Sequence, residues 1–248
     1  LYAWRMRISR IYTDLPLKLE GFIKMEGPQA HYLIKVLRLK VNASLILFNG
    51  DRLEYKSLIS AVDKNSITVE IQETATANPE SPLHTILGLG LSRGERMDIA
   101  IQKSTELGVT EIVPLFTKYS EVKLQGERLQ KRLRHWQQVA ISACEQSGRN
   151  YIPKVHLPQK YSSWCKDLDC ELKLIFDPTG TTAMPTAKKP TKVALLIGPE
   201  GGFSEQEINH AVKTGFLAVR LGPRILRTET APIAALTSLQ LLWGDFNS

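Results

Sequence analysis

Cysteine is scarce in this sequence: Cys144, Cys165 and Cys170 are the three present in 248 residues. So low and odd a count excludes a secreted disulfide scaffold and fits a reducing compartment. Cys165 and Cys170 have no second pair beside them, and His156 is badly spaced to join them. Ordinary reduced thiols are therefore expected, with no metal. Long apolar runs are missing too. The longest uncharged stretch near the C-terminus, residues 230–244, is too short and too rich in Thr, Ser and Gln to span a bilayer, so no membrane partner is expected. The opening residues LYAWRMRISR carry charges but no apolar h-region, so no signal peptide is read. A cytoplasmic protein is expected, with residues 1–5 a leader or remnant. No internal repeat is evident, and the five histidines show no catalytic pairing.

What is present is ordinary for a globular chain: 43% hydrophobic and 23% charged residues. The length suits one large or two modest domains and a sizeable core. Formal net charge is +7, with an isoelectric point near 9.3. That balance favours a polyanionic partner, nucleic acid above all, although many basic proteins bind nothing anionic.

Residues 6–73 read mainly as short strands. Residues 44–48 are apolar and end at Asn49-Gly50-Asp51, a turn signal, and residues 55–62 and 66–71 predict a hairpin across Asp63-Lys64-Asn65. One segment departs from this: HYLIKVLRL, residues 31–39, predicts a short helix after Pro28 that brings Lys35 and Arg38 close together. A small β-barrel with one helix, residues 1–73, is expected. TATANPESP, residues 74–82, is polar with two prolines and predicts a linker. From residue 84 the pattern alternates. Strands are predicted at 84–91, 111–116, 172–176, 193–197 and 217–221. Helices are predicted at 95–107, 128–147, 205–213 and 229–243, the third capped by Ser204 and Glu207. Residues 83–248 are expected to form an α/β domain with a mostly parallel sheet.

The strand ending at Ile197 runs into GPEGGFSEQE, a glycine-rich turn before a helix. Such a turn suggests a phosphate cradle, but it matches neither the G-x-G-x-x-G fingerprint nor a P-loop. Pro199 removes a backbone donor, and Glu200 repels phosphate. A bland structural turn stays open. A second loop shifts the balance: LGPRILRTETA, residues 221–231, also follows an apolar strand and opens with Gly-Pro. Both loops leave the carboxyl ends of strands, the ligand edge of an open α/β sheet. Glycines admit a flat ligand, Ile225 and Leu226 offer apolar faces, and carboxylates suit a positive charge. S-adenosylmethionine has those properties, and other ligands are compatible with them.

IGPEGGFS at 197–204 and LGPRILRTETA at 221–231 resemble the two signature loops of the RsmE family, methyltransferases acting on N3 of a uridine in 16S ribosomal RNA. KSTELGV at 103–109, EQSGR at 145–149 and RISRIY at 7–12 are similar to further motifs of that family, in the expected order. The resemblance implies a SPOUT-type, trefoil-knotted C-terminal domain, a PUA-like RNA-binding barrel before it, and a homodimer with the cofactor site near the subunit interface. It also implies S-adenosylmethionine as cofactor and 16S rRNA or the small ribosomal subunit as partner. Carried onto this chain, the cofactor residues are Gly198, Pro199, Glu200, Gly201, Gly202, Leu221, Gly222, Ile225, Leu226, Arg227, Thr230 and Ala231, with residues 174–177 and Phe176 among them as a third wall.

Methyl transfer to uridine N3 needs the imide deprotonated, its charge spread over O2 and O4, and a nearby guanidinium stabilises that charge. Arg227 is the first candidate and Arg224 the second. Glu229 is either the base that takes the proton or a first-turn carboxylate answering the helix dipole. Thr228 or Thr230 either caps the last helix or touches ligand. For RNA, Arg7, Arg10, Lys35 and Arg38 in the barrel are expected to meet phosphates. Arg128, Lys131, Arg132 and Arg134 crowd one helix start, and together with Arg149 they either contact RNA or form a solvated face. Trp4, Tyr12 and Tyr32 either stack bases or pack in the core. Two rival functions remain at this point: a non-catalytic RNA-binding or ribosome-assembly protein with the same fold, and a nucleotide-dependent enzyme, against which Pro199 and Glu200 count.

Overall fold

The computed structural model describes residues 8–77, 80–122, 124–186 and 189–247. The described chain divides into two compact units. One holds the residues up to 77 together with Cys144–Tyr151, and the other holds Glu80–Ala143 with the residues from 152 on.

The first unit is a five-stranded sheet in the order β1-β3-β4-β5-β2, formed by β1 (Ser9–Tyr12), β2 (Phe22–Glu26), β3 (Ser44–Phe48), β4 (Leu53–Val62) and β5 (Ser66–Thr76). β1 runs parallel to β3, and the other pairs are antiparallel. Strand alternation drives one apolar face inward: Ile11, Leu45, Leu47, Tyr55, Ile59, Ile67, Val69 and Ile71 form one buried cluster with Leu33. The 63–65 hairpin forms as the turn signal predicts, but both strands are longer. Leu53 pairs with Thr76, so β5 runs three residues into the stretch expected as linker, because the start of β4 gives it a partner. The segment expected as one helix over 31–39 is different. Helix α1 (Gly27–His31) begins earlier and passes into a π-helical turn at Tyr32–Val36, where Leu37 N donates to Tyr32 O at 3.0 Å. Arg38 lies beyond it with φ +53°, so it does not share a helical face with Lys35.

The second unit is an all-parallel sheet. Its strands are β6 (His84–Gly90), β7 (Glu111–Phe116), β8 (Lys154–Val155), β9 (Gln159–Lys160), β10 (Leu172–Phe176), β11 (Lys192–Ile197) and β12 (Leu217–Val219). The order is β12-β10-β11-β6-β7-β8, with β9 also on β7. Helices cover both faces, and the alternation within strands shows it. Leu174, Phe176, Val193, Leu195, Ile197, Leu87 and Leu89 pack with Met97 and Ile101 of α2 (Glu95–Glu106) and Trp136 of α3 (Gly126–Ser147). Leu236 and Leu239 of α6 (Thr230–Leu242) join the same cluster. Ile175, Ala194, Leu196, Ile86 and Val113 pack instead with Trp164 and Cys165 of α4 (Tyr161–Asp167) and Ala211 of α5 (Glu205–Lys213). Double coverage explains why these strands read as continuous apolar runs. β12 stops at Val219, two residues short of its predicted end. Ser204 and Glu207 form the predicted capping box on α5, Ser204 N donating to Glu207 Oε2 at 2.8 Å, a device worth about 1 kcal/mol. Among the described residues, no helix is long and apolar enough to cross a membrane.

Cys144 and Cys165 are buried and Cys170 is half-buried, and none forms a disulfide among the described residues. Burial pushes the Cys165 thiol up to about 11, which leaves it protonated and inert at neutral pH.

Candidate cofactor cavity

Because the sheet is parallel, every strand delivers its carboxyl end to one edge. Four of those ends line a single cavity of about 540 Å³. Phe176, Asp177, Pro178 and Thr179 come from the end of β10, and Gly198 to Phe203 follow β11. The loop after β12 supplies Arg220 to Gly222 and Arg224 to Glu229, and Arg96 comes from the first turn of α2, after β6. The volume is in the range of small-molecule sites. Of the cofactor residues expected from the sequence, all but Leu174, Ile175 and Thr230 line this cavity; Leu174 and Ile175 are buried in the sheet's two cores instead.

The glycine turn is built by close approach. Gly202 has φ +66° and its N–H donates to Pro199 O at 2.9 Å, closing the turn. A Cβ on Gly90, at the end of β6, would lie 2.4 Å from Pro199 Cδ and 2.5 Å from its N. So Pro199, besides lacking a donor, packs directly on the neighbouring strand. Glu200 is not left facing a ligand as a free carboxylate. Its Oε1 accepts from Arg93 N at 3.0 Å and from Arg96 Nη1 at 2.9 Å. Burial alone would raise this carboxyl, but the Arg93 N–H, its own N–H and the Arg96 guanidinium outweigh burial and hold it below the ordinary range. Its charge answers Arg96 and pins the turn to the loop after β6.

The carboxylate left over is Glu229. Its Oε2 is buried, with no hydrogen-bond partner among the described residues. Burying a carboxylate oxygen unpaired is costly. Neither threonine caps α6. The helix starts after Glu229 without a side-chain cap, and the N–H groups of Thr230 and Ala231 both donate to Arg227 O at 2.9 Å. Thr228 is buried in the cavity wall, while the Arg227 and Arg224 side chains are exposed at its rim. Ile225 is 82% exposed, while Leu226 is half-buried in the cavity lining. Asp177 is held locally, its Oδ1 accepting from Thr179 N at 2.8 Å.

The RNA candidates separate. Arg7 and Trp4 lie outside the described residues. Arg10 is not open to phosphate: its guanidinium is half-enclosed, ion-pairs with Glu54, donates to Asn150 Oδ1 and lies 5.1 Å over the Phe48 ring. The cause is local to its unit, where Glu54 and Asn150 stand beside β1. Lys35 and Arg38 are exposed and Arg149 is half-buried in the first unit. In the second, Arg128, Lys131 and Arg134 are exposed on α3 and Arg132 is half-buried. Tyr12 packs edge-on against Phe48 at 5.7 Å, whereas Tyr32 is exposed.

Sequence reasoning missed Arg96, Arg93 and Tyr119, whose Cβ would sit 2.8 Å from a Cβ on Gly201. The available signal was position: SRGER follows β6, and Lys118-Tyr119 follow β7, at the same carboxyl edge.

The cavity fits S-adenosylmethionine on chemistry: backbone laid open by glycine, apolar walls at Phe176, Ile197, Leu221 and Leu226, and the Glu229 residue at its wall. Comparison with known proteins agrees. Residues 79–240 match an RNA methyltransferase domain, and residues 26–72 match an RNA methyltransferase PUA domain. The chain is 41% identical to ribosomal RNA small subunit methyltransferase E of Buchnera aphidicola over 245 residues, 98% of this chain and 100% of that one. A methyltransferase of Legionella pneumophila, solved with S-adenosylmethionine bound, superposes with a TM-score of 0.93 at 40% identity, covering 97% of this chain and 100% of that chain. Ribosomal RNA small subunit methyltransferase E of Neisseria gonorrhoeae, also bound to S-adenosylmethionine, gives 0.90 at 38%, covering 96% and 99%.

Proposed function

We propose methyl transfer to ribosomal RNA from one premise: the chain belongs to the ribosomal RNA small subunit methyltransferase E family. The reaction we assign is S-adenosylmethionine-dependent methylation of 16S ribosomal RNA at N3 of a uridine, on free RNA or the small subunit. The observation that carries it is the carboxyl-edge cavity, lined by both Gly-Pro loops and by Arg227 and Glu229.

Bound in that cavity, S-adenosylmethionine supplies the electrophilic methyl group. The chain's own residues do the rest. Gly198 to Gly202 and Leu221 to Leu226 bind and orient by backbone and apolar contact. The Arg96–Glu200 pair holds one wall in place. Glu229, which lines the cavity, is the carboxylate assigned to accept the N3 proton. The Arg227 guanidinium faces the negative charge that develops on O2 and O4. The cytoplasm, where ribosomal subunits are found, is the compartment this function requires.

Calorimetry on the purified protein is expected to show binding of S-adenosylmethionine and none of ATP. Folded protein that takes up no S-adenosylmethionine overturns the enzymatic reading, and ATP binding in its place supports the nucleotide-dependent one.

A homodimer through the second unit is part of the same reading. It is supported by apolar side chains left in water there: Ile225, and Leu241 and Leu242 at 46% and 40% exposure on α6. Light scattering at micromolar concentration is expected to give twice the chain mass, and a monomer throughout contradicts it. A trefoil knot in this unit belongs to the proposal too. It fails if the chain trace of an experimental structure pulls straight from its two ends.

A further inference from the structure

The first unit carries a second concavity that the methyl-transfer site does not use. It has a volume of about 330 Å³ and is lined by Gly27, His31, Ile34, Lys35, Lys64 and Asn65. Two separate elements make it. His31, Ile34 and Lys35 come from the end of α1 and the π-helical turn, three and four residues apart and so on one side. Lys64 and Asn65 are the tip of the β4–β5 hairpin. That tip is braced: Asp63 N donates to Ser66 O at 2.9 Å, and Ser66 Oγ donates to Asp63 Oδ2 at 3.0 Å. The Asp63 carboxylate is thereby drawn into the turn. The other nearby acid, Glu26, is paired with Lys24 at 2.7 Å. Lys35 and Lys64 have no ion pair or hydrogen bond from their ammonium groups among the described residues. Ile34 packs on the unit's core and gives the hollow an apolar side chain.

Two uncommitted ammonium groups, an apolar side chain and a side-chain amide lining one hollow form a composite chemistry. A bare phosphate uses the lysines and leaves Ile34 covered by nothing. A lipid or apolar peptide uses Ile34 and leaves the lysines. A nucleotide uses both: its phosphate bridges the ammoniums, its base or ribose lies on Ile34 beside the His31 ring, and Asn65 meets a polar base edge. A base held in a stacked duplex cannot enter a hollow of this kind, so the nucleotide must be unpaired. We infer that this hollow is a subsite for one unpaired RNA nucleotide, gripped by Lys35 and Lys64 and read by Asn65. The inference rests on the reading that the substrate is ribosomal RNA.

The test uses the full chain and two fluorescent probes: a twelve-nucleotide mixed-sequence single-stranded RNA and a blunt RNA duplex of equal length. Anisotropy is read across a potassium chloride series. Lys35→Gln and Lys64→Gln are each expected to weaken single-strand binding several-fold and to flatten its salt dependence by about 0.7 in log–log slope, one phosphate contact each. Asn65→Ala is expected to weaken single-strand binding without changing the slope. Duplex binding should change little in all three. An unchanged far-ultraviolet circular dichroism spectrum and melting profile in each variant report an intact fold. Wild-type slopes and affinities in the lysine variants overturn the subsite, as do equal losses on single strand and duplex, which mark a diffuse basic surface. If the wild-type protein binds these RNAs and methylates small subunits while the variants match it, the subsite alone falls. If the wild type does neither, the RNA reading falls with it.

Discussion

Arg227→Ala is expected to lower single-turnover methylation of small ribosomal subunits about a hundredfold at saturating S-adenosylmethionine, with the affinity for the cofactor little changed. The split between the two quantities follows from what the backbone and the side chain of Arg227 each do. Its carbonyl oxygen accepts the N–H groups of Thr230 and Ala231, both at 2.9 Å, and so forms the first turn of α6. Alanine keeps that carbonyl, and the loop with it. The guanidinium is exposed at the rim of the cavity and has no protein partner among the described residues. Nothing in the fold therefore depends on it, and its charge is available for the uridine oxygens when N3 gives up its proton. A group that acts mainly on the transition state shows in turnover and not in ground-state binding. The competing role is bracing, with Arg227 holding Glu229 and hence the loop. In that case affinity and turnover fall together. A variant that methylates at the wild-type rate once saturated removes Arg227 from the chemistry, and Arg96, already inside the cavity, becomes the guanidinium to test.

How far the sequence reaches is visible at these same residues. β3, β7 and β10 occupy the predicted spans, because an apolar run bounded by turn residues is local information. The capping box of α5 is local too, four residues from end to end. The two loops that line the cavity were legible because each follows an apolar strand and carries a Gly-Pro pair. What was not legible is pairing across distance. Glu200 reads as a free carboxylate until Arg96, 104 positions earlier, is seen against it. Arg10 reads as a phosphate ligand until Glu54 and Asn150 take its guanidinium. The helix over 31–39 fails for a related reason. Its apolar spacing is helical, but Leu33, Ile34, Leu37 and Leu39 all pack on one core, and the backbone meets that demand by widening to a π turn and releasing Arg38 into the left-handed region. Tertiary packing overrode a local preference of a few tenths of a kcal/mol per residue.

Gly90→Ala is expected to lower the affinity for S-adenosylmethionine at least about tenfold, and to destabilise the second unit by about 1–3 kcal/mol through overpacking. The added methyl would sit 2.4 Å from Pro199 Cδ and 2.5 Å from Pro199 N, and 2.9 Å from the carbonyl carbon of Gly198. Two of those atoms are backbone, so no side-chain rotation relieves the clash. β6 has little freedom to yield. It is hydrogen-bonded between β11 and β7, with Leu89 opposite Ile197 and Gly90 opposite Leu115. The glycine turn is the part that must move. It is closed by the Gly202 N–H and tethered through Glu200 to Arg93 and Arg96, so moving it shifts the whole wall rather than one residue. Gly88→Ala is the matched control. It lies two residues earlier on the same strand, and its Cβ would meet the Trp164 ring at 2.5 Å, a side chain outside the cavity lining. Both variants should melt earlier than the wild type. Calorimetry at a temperature where both are folded should find cofactor affinity lost in Gly90→Ala and kept in Gly88→Ala. Equal affinities would mean that the turn absorbs a methyl group freely, and that the contact between Pro199 and β6 does not set the shape of the site.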